Sequence, residues 1–383
     1  MGWKKTNARE EKLKFIGDWL KKESSFSDLC ERYEISRKTG YKLTSRYEAW
    51  GEVAFDELSR IRHLHPNETA REIKAKLIEI KYRYPTWGPG KILDWLKINE
   101  PKTKWPSAST SGEILKRHGL VKPRKYRDRA ARFSEPFSNC EHPNDVWSAD
   151  FKGQFRLGND RYCYPLTVTD NYSRYLLECE GLLSPNTENV IKRFKKVFYE
   201  YGLPKAIKTD NGQPFAGMGI GGLTRLSIWW LKLGIMPERI KPGHPEQNGR
   251  HERMHRTLKE ATIAPAKSSL KLQQRSFDRF KQEYNNERPH AGIDRKRPWD
   301  IYKKSARVLP DKLPEINYAD HFEVRRVRSN GEIKLQGKKY FVSELLYGEP
   351  IGLEPIDDGK VLVYFAKLKL GLIDIREDKI IRP

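Results

Sequence analysis

Apolar and polar positions repeat along this chain with two periods, and the period changes in a definite order. Residues 10–50 carry the helical one: Leu13, Ile16 and Leu20, then Phe26, Leu29, Cys30 and Tyr33, stand at helical spacing as core positions. The pattern predicts helix, helix, turn, helix, with Ser36 capping the last. That third helix runs through Arg37, Lys38, Tyr41, Lys42, Ser45 and Arg46. Cations and small polar groups after a short turn suit a recognition helix that enters the major groove. The bland alternative is a three-helix bundle with a basic but idle face.

The helical period returns at 70–120. Ala70 to Tyr84 is amphipathic, Pro85 to Gly90 punctuates it, and Lys91 to Leu96 makes the next helix. A last helix, Ser111 to His118, would be capped by Ser107 or Ser109. This gives helix-turn-helix units over 1–55 and 70–120, joined by a polar linker at 56–69. A basic linker follows at 121–140. Lys116 to Arg132 holds eight Lys or Arg against the single acid Asp128, and such a run repels itself and extends. Arg124, Lys125, Arg127 and Arg129 are assigned to the DNA backbone; the alternative is a solvated spacer.

From 141 to 304 the period switches between two and 3.6. Val146 to Phe155 alternates, with Trp147, Ala149, Phe151 and Phe155 on one face and Asp150 mid-strand on the other. Tyr162 to Thr169 and Tyr175 to Gly181 complete an antiparallel meander. A helix follows at Thr187 to Tyr201, then a strand at Lys205 to Thr209 with Asp210 just past its end. Asn211-Gly212 turns the chain away. Pro245 suits a first helical position, which puts Glu246 in the first turn of a helix running toward Lys259. Glu246, Arg250, Arg253 and Thr257 then share a face, and Arg250 and Arg253 read as backbone contacts or as an ordinary solvated face. Leu270 to Arg288 reads as a helix packed on the sheet.

Fifty-nine residues separate Asp150 from Asp210, and 35 separate Asp210 from Glu246. Three converging carboxylates can hold two divalent cations about 4 Å apart, a geometry for in-line displacement at a phosphodiester. A competing motif overlaps them: His251, Glu252 and His255 fit the H-E-x-x-H zinc pattern. No third ligand is evident nearby, so these histidines are expected to pack at the surface or approach DNA. No zinc is expected.

The tail, 318–383, returns to period two in short runs punctuated by Gly331, Gly337, Gly348 and Gly359, which predicts a small β-barrel. Arg325, Arg326, Arg328, Lys338 and Lys339 would give it a basic surface. Composition agrees with a polyanionic partner: 74 Lys and Arg face 51 acids, a net charge of +23. No apolar run reaches the ~18 residues of a spanning helix. Four scattered cysteines without a C-x-x-C pair point to a reducing compartment, so a cytoplasmic, nucleoid-associated location is expected.

The blocks WSADFKG, KTDNGQPF and KPGHPEQNGRHERMHRTLK, with YNNERPHAGI at 284–293, resemble the integrase core of bacterial insertion-sequence transposases. The helical units are similar to the tandem helix-turn-helix region of the same transposases, and the tail resembles the C-terminal domain of integrases. The resemblance implies a multidomain α+β chain: all-α helix-turn-helix units, an RNase H-like α/β catalytic core with a mixed sheet, and the small barrel. It assigns Asp150, Asp210 and Glu246 as catalytic, metal-binding residues holding two Mg²⁺, with Mn²⁺ as a substitute and Asp150 bridging. It implies a transposase that binds element ends, hydrolyses them and joins the 3′-OH to target DNA, acting as a homo-oligomer on double-stranded DNA away from any membrane. It leaves open whether an accessory ATPase takes part.

Overall fold

The computed structural model describes residues 8–56, 68–121, 140–217, 219–240, 249–357 and 359–381. They divide into two units, Met1–Thr69 and Ala70–Pro383.

The first unit is three helices, α1 (Ala8–Lys21), α2 (Phe26–Arg32) and α3 (Arg37–Trp50). Ser25 and Ser36 cap α2 and α3 by accepting from the N–H groups of Asp28 and Thr39. The core is Phe15, Ile16, Leu29, Cys30, Ile35, Leu43 and Phe55. Leu13 and Leu20, expected inside, are 52% and 55% exposed. The buried stripe of α1 runs through Lys12 instead, whose stem lies inside while its ammonium donates to the Phe55 carbonyl at 3.1 Å. A lysine that buries its methylenes hides a core position from a hydrophobic count. Gly40 lets α3 close on its neighbours, because a Cβ there would lie 2.7 Å from Cys30 Sγ and 3.0 Å from the Phe26 ring.

The second unit opens with α4 (Arg71–Arg83), α5 (Pro89–Asn99) and α6 (Ala108–Arg117), packed around Leu77, Ile80, Trp87, Ile92, Leu96 and Leu115. Pro89 starts α5 earlier than the expected Lys91, as its fixed φ allows at a first turn. Ser107 caps α6, accepting from the Thr110 N–H at 3.1 Å. This trio docks on the core: Trp87 Nε1 donates to Glu283 Oε1 at 3.2 Å, and Arg295 pairs with Asp94 at 2.9 Å.

The core comprises β1 (Val146–Phe151), β2 (Phe155–Arg156), β3 (Tyr162–Asp170), β4 (Leu176–Leu182), α7 (Thr187–Tyr201), β5 (Ala206–Thr209), α8 (Arg225–Lys232), β6 (Met236–Arg239), α9 (Gly249–Leu258) and α10 (Leu270–Gln282). The main strands lie in the order β4-β3-β1-β5-β6. The pairs β4-β3 and β3-β1 are antiparallel, while β1-β5 and β5-β6 are parallel. Trp147, Ala149, Leu166 and Val168 pack one face against Val190, Phe194 and Phe198 of α7 and Trp230 of α8. Cys163, Leu176 and Cys179 pack the other against Met254 and Leu258 of α9 and Phe277 and Phe280 of α10. A mixed sheet in this order between helices is an RNase H-like core. Side chains close its edge: Asn285 bonds both the N–H and the carbonyl of Leu176, and Gln274 bonds the Cys179 carbonyl and the Gly181 N–H. An unpaired strand edge is thereby satisfied.

The alternating run at 146–155 breaks in two. β1 stops at Phe151, and after Gly153 the chain resumes as β2 against the start of β3. Asp150 therefore stands next to last in its strand, not in the middle.

The tail forms β7 (Glu323–Arg326), β8 (Glu332–Leu335), β9 (Lys338–Phe341), β10 (Pro350–Asp357), β11 (Lys360–Phe365), β12 (Leu368–Asp374) and β13 (Lys379–Ile381). The expected barrel does not close among the described residues. An open sheet, β13-β12-β11-β10-β7, stands beside a β8-β9 hairpin. Phe365, Leu370 and Ile373 share a cluster with Leu223, Ile228 and Leu231, so α8 and the residues before it help to cover the apolar face that closure would have hidden. Arg325, Arg326, Arg328, Lys338 and Lys339 are exposed.

Candidate active site

Parallel pairing of β1 with β5 builds the site. The register aligns Ser148 with Lys208 and Ala149 with Thr209. One step further on, at the carboxyl ends, stand Asp150 and Asp210 on strands ~4.8 Å apart. Ligand sites of open α/β sheets lie beyond such ends. Asp210 Oδ1 accepts the Gly212 N–H at 3.1 Å, and Asn211 Nδ2 donates to the Ile240 carbonyl at 3.0 Å, tying the turn after β5 to the end of β6. A Cβ on Gly212 would stand 3.1 Å from Asp210 Oδ2, so a side chain there would crowd the carboxylate. Glu246 lies outside the described residues, as do Arg124, Lys125, Arg127 and Arg129.

Lys208, which sequence reasoning missed, is buried on β5 two residues before Asp210. Burial lowers its pKa first; Arg250 acts in the same direction and Glu238 opposes both. Its signal was available, since a lysine inside a buried strand two places before a candidate ligand faces the same way.

Helix α9 lies across this face of the sheet and brings two histidines onto β3. His251 and His255 are buried, not at the surface as expected. Thr167, the cross-strand partner of Asp150, sits between them. Its Oγ1 is 3.1 Å from the Asp150 carbonyl and 2.7 Å from Nε2 of each histidine. A carbonyl only accepts, so the hydroxyl proton goes to Asp150. Both histidines must then donate from Nε2 to the two remaining lone pairs of the hydroxyl. His251 Nδ1 is left to accept from Thr169 Oγ1 at 3.0 Å, and His255 Nδ1 presents a lone pair to Asp150 Oδ2 at 3.8 Å. Burial holds both rings neutral: it lowers the His251 pKa to about 3, and that of His255 further still, with His251 and Lys152 adding to the effect.

Asp150, His251 and His255 offer metal-ligand atoms within 4.8 Å of one another. The hydrogen bonds engage both nitrogens of His251, which leaves this ring no lone pair for a metal. The H-E-x-x-H spacing here serves packing of α9 onto two threonines.

Among the other residues singled out, Arg37, Lys38 and Lys42 are exposed along α3. Arg46 is half-buried and donates to the Asp56 carbonyl at 3.0 Å, which ties it to its own unit. Arg250 and Arg253 lie on the side of α9 away from the histidines and share a cavity with Thr257.

Residues 141–245 and 233–298 match the integrase core domain family. Residues 11–62 match a helix-turn-helix domain, and 322–381 the IS481 family transposase C-terminal domain. The chain is 24% identical over 236 residues to the insertion element IS476 uncharacterized 39.2 kDa protein of Xanthomonas euvesicatoria, covering 60% of this chain and 64% of that one. It is 26% identical over 176 residues to the insertion element IS407 uncharacterized 31.7 kDa protein of Burkholderia multivorans, covering 42% and 56%. It thus spans less than two thirds of these relatives. The HTLV-2 integrase catalytic core domain, solved in complex with magnesium, is 16% identical over 43% of this chain and 99% of its own, with a TM-score of 0.34. Matches to a helix-turn-helix domain, an integrase core domain and the IS481 family transposase C-terminal domain thus follow one another along the chain.

Proposed function

We propose that the protein is a DNA transposase that binds the terminal repeats of a mobile element, cleaves its ends and joins them to target DNA. The carrying observation is the level placement of Asp150 and Asp210 at the ends of two parallel strands. Both offer carboxylate oxygens, the donors that hard divalent cations take. Asp150 and Asp210, with Glu246, would hold two Mg²⁺, or Mn²⁺ in their place. Bound there, the cations supply activation of the attacking oxygen and stabilisation of the leaving one. Thr167 and α9 fix the backbone of Asp150, and the turn at Gly212 fixes Asp210. Water attacks the phosphodiester at the element end, forming a P–O bond as the bond to the 3′-oxygen breaks and leaves a 3′-OH. This 3′-OH then attacks a target phosphodiester, forming a new P–O bond as the target strand's own 3′-oxygen departs. Arg37, Lys38 and Lys42 on α3 read the ends, with 1–55 and 70–120 as separate readers, and a homo-oligomer holds two ends together.

The test uses the full chain on duplexes carrying the inverted repeats that flank its reading frame. Asp150→Asn, Asp210→Asn and Glu246→Gln should each abolish nicking and strand transfer while end binding stays near that of the parent, since affinity comes mainly from cations elsewhere. Strand transfer surviving at more than a few per cent in any of them overturns the assignment. Cut ends that never join a second duplex would reduce the reading to a nuclease.

A further inference from the structure

Helix α3 carries an aromatic ring on the face it turns to solvent. From its start to Ser45 the exposed residues are Arg37, Lys38, Tyr41, Lys42 and Ser45. Helical spacing sets Tyr41 amid this face, one turn beyond Arg37 and Lys38 and one turn before Ser45. Tyr41 is 57% exposed, yet its ring is held. It stacks on Phe26, the first residue of α2, with centroids 4.2 Å apart and planes at 21°. Phe26 in turn meets the fully buried Phe15 edge-on, at 6.2 Å and 81°. Gly40 makes room for this pile, because a Cβ there would lie 3.0 Å from Phe26 Cζ. One side of the Tyr41 ring is thus braced through Phe26 by the core of its own unit, and the rest faces outward among cations. No acid falls on α3 before Glu48, so the part of the helix around the ring suits a polyanion.

Given α3 as the helix that enters the major groove, the reading made above, we propose that Tyr41 sets base preference: its ring packs on the 5-methyl group of a thymine. Residues near the start of such a helix reach base edges. Cations there find phosphates and hydrogen-bonding groups, neither of which an aromatic face can match. The thymine methyl is the apolar group that the major groove presents, and apolar side chains read it. Bracing matters as much as chemistry. A ring free to rotate would lose that freedom on binding, whereas the stack on Phe26 has already fixed this one. Were Tyr41 only a cover for Phe26, binding would not depend on any methyl group in the DNA.

The experiment uses the full chain. Its preferred sequence is selected from a randomised duplex pool. Binding to that sequence is then measured with each thymine in turn replaced by uracil, which removes the methyl and keeps the hydrogen-bonding groups. Uracil at one position should weaken the parent ~4-fold, the size expected for one buried methyl group. Tyr41→Ala should bind the thymine and uracil duplexes equally at that position, and Tyr41→Phe should behave as the parent. The dependence on salt should be the same in all three, because no charge changes. A shallower slope in Tyr41→Ala would mark a misfolded unit, and Tyr41→Gln then takes its place; the scan of the parent needs no variant at all. A parent indifferent to every uracil, or a Tyr41→Ala variant as sensitive as the parent, overturns the proposal and leaves the ring as a cover for Phe26. Tyr41→Phe as weak as Tyr41→Ala would give the contact to the hydroxyl and overturn it too. A pool that yields no preferred sequence would remove the groove-reading role of α3 itself, and Tyr41 falls with it. Strand transfer plays no part in the measurement, so failure of the catalytic assignment leaves it unaffected.

Discussion

Replacing Thr167 with valine keeps the shape of the side chain and removes one oxygen. That oxygen serves three groups: the part-buried Asp150 carbonyl at 3.1 Å and the buried Nε2 atoms of His251 and His255 at 2.7 Å. A buried polar group left without a partner costs ~1–3 kcal/mol. The rings can recover part of this by moving their protons, so a net loss of ~3–5 kcal/mol is expected, a large share of the ~5–15 kcal/mol of a typical domain. Urea unfolding followed by tryptophan fluorescence suits the measurement, because Trp147 and Trp230 are fully buried in the same core. With a slope of ~2–3 kcal/mol per molar, the midpoint should fall by ~1–2.5 M. Thr167→Ser retains the hydroxyl and should recover most of the loss. A valine variant within ~0.5 kcal/mol of the parent, or a serine variant as unstable as the valine one, would refute the network.

Acid should unfold the catalytic unit early. His251 and His290 have folded pKa values near 3, below the ~6.5 of an unfolded histidine. The unfolded chain therefore binds more protons between those values, and stability falls as pH drops through 6.5. At pH 5 the loss is ~2 kcal/mol for each; urea midpoints that stay level from pH 7 to 5 would contradict it. Gly40→Ala should destabilise the first unit by ~1–3 kcal/mol through overpacking, despite alanine's better helix propensity. Hydrogen exchange on α3 in the full chain reads this directly, and unchanged protection would show that Cys30 and Phe26 give way without cost.

Sequence periodicity and capping chemistry alone placed the helices at 10–50, the helix Thr187–Tyr201 and the strands that carry Asp150 and Asp210, because those signals are local. Side-chain type and spacing likewise singled out Asp150, Asp210 and Glu246 as candidates. Long-range contact decided the rest. Lys12 lies inside because its stem packs while its ammonium finds a carbonyl 43 residues away, which no local pattern records. The tail sheet stays open because α8 shares its apolar face, a surface that the tail's own sequence does not contain. His251 and His255 fit a zinc spacing along the chain but were expected at the surface or against DNA. Only the packing of α9 on β3, more than 80 residues upstream, turned their nitrogens toward Thr167 and Thr169. The basic cavity draws on residues from 91 to 292. Like charges that far apart in sequence carry no sign of meeting, and only the folded chain brings them around one space.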